Sequence, residues 1–70
     1  MERVNVDSSH IRAIGYDSDN AILEIEFKDG AVYEYYEVPQ YVYDEFITAD
    51  SHGKYAHKNI YKVYRYERIA

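Results

Sequence analysis

Lys54, Lys58, Lys62, Arg65 and Arg68 are interleaved with Tyr55, Tyr61, Tyr64 and Tyr66, with His57 among them. Such cations neutralise phosphates while phenol rings stack on splayed bases, each stack contributing about 1–3 kcal/mol. The chemistry in view is RNA recognition. Five phosphate contacts on a single strand would give a salt slope of about −3.5, roughly a hundred-fold loss of affinity between about 50 and 200 mM salt. The competing structural reading is that these cations pair with an acidic body and the rings cover a seam between helix and sheet.

The charge distribution sharpens that choice. Residues 1–50 hold three bases against twelve acids and carry −9, whereas residues 51–70 hold five bases against Glu67 alone and carry +4. Screening over about 8 Å lets a partner feel one patch without the other. The acidic part would repel any nucleic acid whose path crossed residues 17–50. Ten tyrosines stand beside two phenylalanines and no tryptophan. A phenol hydroxyl wants water or a partner, so many of these rings belong at the rim of a core too small to enclose them.

Other constellations lead to structure rather than chemistry. Glu24, Glu26 and Glu34 project from the outer face of the expected sheet; paired carboxylates can serve as acid and base, but an exposed sheet neither excludes water nor holds a substrate, so a solvated face is expected. The Asp17-Ser18-Asp19-Asn20 run has Ile22 and Lys28 where a calcium loop needs glycine and glutamate, and reads as a turn. His52 and His57, five apart, stand roughly 140° apart on a helix and cannot share a metal. His10 beside Asp7-Ser8-Ser9 makes no triad by adjacency. Gly15, Gly30 and Gly53 lie too far apart for a phosphate loop. No catalytic residue, metal or cofactor is expected. Zero cysteines exclude a disulfide framework and a thiol nucleophile. No apolar run approaches the roughly 18 residues of a membrane span and no signal peptide follows Met1, so a cytoplasmic protein without a membrane partner is expected.

At 70 residues the chain makes one domain, spanning 1–70. Leu23, Ile25 and Phe27 alternate with Glu24 and Glu26 in a half-buried strand, and Ala31–Tyr36 forms the next. A three-residue loop at Lys28-Asp29-Gly30 pairs Ile25 with Tyr33 and Leu23 with Tyr35, keeping every large side chain on one face; a two-residue turn would scatter them. Tyr33 and Tyr35 therefore point toward the helices and read as core, becoming a stacking platform only if the helices cover the other face. Ile11–Tyr16 supplies an earlier strand; pairing Tyr16 with Ala21 sets Ile14 beside Leu23 and brings Arg12 to the core face. Pro39 ends the third strand and suits a helix start. Val42, Tyr43, Phe46, Ile47 and Ala49 follow helical spacing within 40–49. Ser51 caps a second helix running to about Ile60, with Tyr55, Ala56 and Ile60 inward. Residues 61–70 fit a fraying helix end, an edge strand or an extended arm. The expected fold is α+β, a three-stranded antiparallel meander followed by two helices packed on one face.

Ile14-Gly15-Tyr16-Asp17, Leu23 through Phe27, Val32-Tyr33-Glu34-Tyr35, Val38-Pro39, Ser51-x-Gly53-x-Tyr55 and Tyr64-Arg65-Tyr66 occur in an order that resembles the KTSC family. That family is named for a C-terminal domain of some lysyl-tRNA synthetases and also occurs as free-standing small bacterial proteins. Ala56 departs from its pattern, where an aromatic is usual, which would remove a ring from that surface. The resemblance implies this fold and, through the synthetase, an association with RNA. The expected function is a small non-catalytic module that binds RNA through Lys54, Lys58, Lys62, Arg65 and Arg68 on phosphates and Tyr61, Tyr64 and Tyr66 on bases. The alternative is a protein–protein interaction module using the same patch. No oligomeric state follows from these residues.

Overall fold

The hairpin at the centre of the sheet forms where alternation is strictest. A computed structural model describes residues 2–70. In it β3 (Ile22–Phe27) pairs antiparallel with β4 (Val32–Tyr35), setting Leu23 opposite Tyr35, Glu24 opposite Glu34 and Ile25 opposite Tyr33. The three-residue loop is as expected: the Phe27 amide donates to the Ala31 carbonyl at 2.8 Å, and Gly30 takes a φ of +96° that side chains rarely tolerate.

On the other side of β3 lies β2 (Ile11–Asp17), in a different register from the expected one. Tyr16 faces Leu23, and Ile14 faces Ile25. The two-residue difference arises at the loop, where Asp17 still pairs with Ile22 and Ala21 adopts a left-handed φ of 55°. A bulge between Ile11 and Ala13 then leaves Arg12 out of the ladder. The extra residue lets Ile11 and Ile14, three apart, both reach the core at 0% exposure, while Arg12 turns to solvent and donates to the Lys28 carbonyl at 3.3 Å. Arg12 is thus not on the core face.

Two further strands extend the meander. The sheet has five, in the order β1-β2-β3-β4-β5, with β1 (Arg3–Asn5) at one edge and β5 (Tyr66–Arg68) at the other. Residues 60–63 form turns and Tyr66–Arg68 pairs with β4, so the C-terminal segment is an edge strand rather than a helix end or free arm.

Helices α1 (Gln40–Ile47) and α2 (His52–Asn59) cover the face bearing Leu23 and Ile25. Pro39, extended at φ −64°, enters α1, which ends two residues before the apolar spacing does. The Ser51 hydroxyl accepts the Lys54 amide and caps α2. Phe46 and Ile60 are fully buried, each contributing about 1.5–3 kcal/mol by leaving water. Phe46 stacks on Tyr55 at 5.6 Å between ring centres. Ala56 is also fully buried. It sits in the core, so its small side chain removes no ring from the surface.

Candidate nucleic-acid interface

Pairing of β5 with β4 sets the frame of the basic tail. Tyr66 lies opposite Tyr35 and Arg68 opposite Tyr33, and Glu67 lies opposite Glu34. Because side chains alternate across a strand, Tyr66 and Arg68 join Tyr33 and Tyr35 on the helix side. Arg65, one step earlier, goes to the outer side, where its guanidinium lies 5.3 Å from the centre of the Tyr36 ring.

The helix-side residues line an open groove of about 1080 Å³ between α2 and the β4–β5 edge. Its floor is aromatic. Tyr66 lies 5.6 Å from Tyr33 and 5.5 Å from Tyr35, and Tyr61 lies 6.2 Å from both Tyr35 and Phe27. Tyr35 is buried and Phe27, Tyr33 and Tyr61 are half-buried. Burial holds the Tyr35 and Tyr61 hydroxyls above their ordinary range, so both remain neutral.

Exposed cations stand on both sides of that floor. Lys54 and Lys62, with His57, come from α2 and the turn after it; Arg68 comes from β5, and His10, Lys28 and the Asp29 carboxylate from the segments flanking β2 and β3. Lys54 and His57 share a wall because residues three apart on a helix are neighbours. Among the described residues, none of these lysines, nor Lys58, Arg65 or Arg68, forms an ion pair with a carboxylate side chain. Arg68 Nε donates to the Ala70 carbonyl oxygen at 2.7 Å.

The structure gathers Lys54, Lys62, Arg68, Tyr61 and Tyr66 at one site. Lys58, Arg65 and Tyr64 are elsewhere. Lys58 is exposed on α2 outside the groove, Arg65 is on the outer face, and Tyr64 packs against the core. Sequence reasoning missed Lys28, His10, Phe27, Tyr33 and Tyr35 as groove residues. The alternation Tyr66-Glu67-Arg68 is the available signal, since a strand there sets Tyr66 and Arg68 on one face, although which face depends on its register with β4.

The outer face is organised differently. Glu24 is 6% exposed rather than solvated, because Arg3 Nε donates to its carboxylate. Arg3 reaches Glu26 at 3.3 Å, and Arg12 lies 3.8 Å from the other Glu26 oxygen. The Asp17 run is a turn: its carboxylate accepts from the Asn20 side chain at 2.9 Å and from the amides of Asn20 and Asp19, which lowers its pKa. Among the described residues no group of three His, Cys, Asp or Glu side chains could hold a metal, and no helix is long and apolar enough to cross a membrane.

A five-stranded antiparallel sheet with two helices on one face and a cationic aromatic groove beside them defines a small α+β domain. Residues 7–66 match the KTSC domain, and the chain belongs to that family. The crystal structure of a KTSC domain protein from Yersinia pestis is similar at a TM-score of 0.93 and 37% identity, covering 99% of this chain and 97% of that one. An uncharacterized protein of Stutzerimonas stutzeri is 44% identical over 99% of both chains. A lysine–tRNA ligase of Trichormus variabilis is 39% identical over 91% of this chain, which matches only 11% of that protein's length.

Proposed function

We propose that this KTSC domain is a non-catalytic RNA-binding module of the cytoplasm, with the groove as its binding site. One observation carries the reading: cations that pair with no Asp or Glu side chain among the described residues flank an aromatic floor, on the side of the sheet away from Glu24, Glu26, Glu34 and Glu67. Phosphates meet Lys28, Lys54, Lys62 and Arg68, and bases meet the rings. The lysine–tRNA ligase relative supports the choice of RNA, since its name places it on tRNA.

Titration with bulk cellular RNA tests this. With four phosphate contacts the salt slope is about −2.8, so affinity falls about fifty-fold between about 50 and 200 mM salt. Lys54→Glu with Lys62→Glu removes two contacts and brings the slope to about −1.4. Lys58→Glu with Arg65→Glu makes the same charge change outside the groove and leaves the slope in place. Equal behaviour of the two double variants would overturn the groove as the site. A partner found instead to be a protein, held through the tyrosines, would show little response to salt.

A further inference from the structure

We infer that the groove accepts an unpaired RNA strand with its bases turned inward, and that the Tyr66 ring distinguishes this strand from a duplex. The inference rests on the RNA reading above and names the form of RNA. Buried and half-buried rings line the floor of the groove, and exposed cations stand at both margins, with Asp29 the one acid among the described residues of the lining. A duplex offers the opposite arrangement. Its phosphates and 2′-hydroxyls are outermost and its base faces are covered by their neighbours, so a surface fitted to it needs cations at the centre and gains nothing from rings. An unpaired strand can lay its bases on the rings while its phosphates stay at the margins.

Tyr66 is the ring available for that contact. It is 52% exposed, whereas Phe27, Tyr33 and Tyr61 are half-buried and Tyr35 is 4% exposed. Tyr33 and Tyr35, stacked on each other at 6.5 Å, lie at 5.6 and 5.5 Å from it, with their rings inclined to its own by 48° and 39°. A base on the exposed part of the Tyr66 ring would add to this aromatic cluster. The ring is also held in advance. The Tyr36 amide donates to the Arg65 carbonyl at 2.9 Å and the Ile69 amide to the Val32 carbonyl at 2.8 Å, fixing β5 on both sides of Tyr66. Little ordering is left to oppose binding.

The experiment compares an unstructured RNA of about 12 nucleotides, within the range of single-strand site sizes, with the same RNA annealed to its complement. Fluorescence anisotropy is read with wild type, Tyr66→Leu and Tyr66→Phe. The single strand should bind about tenfold tighter than the duplex. Tyr66→Leu, which fills the space without a π-face, should abolish that gap while leaving the salt slope intact, and Tyr66→Phe should keep the gap. Equal affinity of wild type for the two RNAs would overturn this inference and leave the RNA reading standing. A Tyr66→Leu loss of equal size on both RNAs would likewise remove Tyr66 as the discriminating ring. Binding to neither RNA would overturn both readings.

Discussion

The two edge strands are each three residues long and each carries an arginine, but the arginines have different fates. Arg3 on β1 stands opposite Gly15, which has no side chain to intervene, and reaches the buried carboxylate of Glu24 in the next strand. Arg68 on β5 stands opposite Tyr33 and, among the described residues, donates to the main-chain oxygen of Ala70 and to no carboxylate side chain. With thirteen acids against eight bases, a random placement would leave carboxylates free and cations paired. Topology sorts them instead. On the outer face Arg3 and Arg12 pair with Glu24 and Glu26 while Arg65 lies over the Tyr36 ring, and the lysines of the helix side pair with no carboxylate side chain among the described residues.

The largest expected effect breaks the paired side. Arg3→Ala leaves the Glu24 carboxylate buried beside Glu34 and should destabilise the fold by about 2 kcal/mol, below the 3–5 of a fully buried pair because the Arg3 side chain is 35% exposed. Urea unfolding reads this as a lower midpoint, part of which Glu24→Gln should restore. The next effect belongs to the helix side. Burial, then the 2.7 Å hydrogen bond to Glu45, raises the Tyr55 phenol to about 12, and burial pushes Tyr35 higher still. The fold therefore favours the neutral phenols. Their contribution is complete below the ordinary value near 10 and is lost as pH rises from there through about 12. Thermal melts across that window should fall steeply, and Tyr55→Phe should flatten the fall; a melting temperature indifferent to pH would remove this contribution. The smallest effect is Arg68→Ala, expected to change stability by no more than about 0.5 kcal/mol. A cost equal to that of Arg3→Ala would erase the contrast between the edges.

Much of this architecture is legible in the sequence, for identifiable reasons. The β3–β4 register follows from the alternation of Leu23, Ile25 and Phe27 and from a glycine where the loop needs positive φ. The β2 register does not, because the Arg12 bulge and the left-handed Ala21 have no compositional signal. Strand β1 is invisible for a related reason: Arg3-Val4-Asn5 has no apolar alternation, and an ion pair to a residue 21 positions away ties it down. The basic tyrosine segment stands out by composition. Its division between two faces depends on β5 joining β4, a contact no local pattern dictates, and so Lys58, Arg65 and Tyr64 were grouped with residues they do not accompany.

The Glu34 and Glu67 carboxylates, opposite each other on the outer face and without a salt-bridge partner among the described residues, also bear on approach. Within the roughly 8 Å that physiological salt leaves unscreened, a polyanion that nears these two carboxylates is repelled. Under the RNA reading, an encounter on the groove side escapes that repulsion, so the side of the first collision already matters.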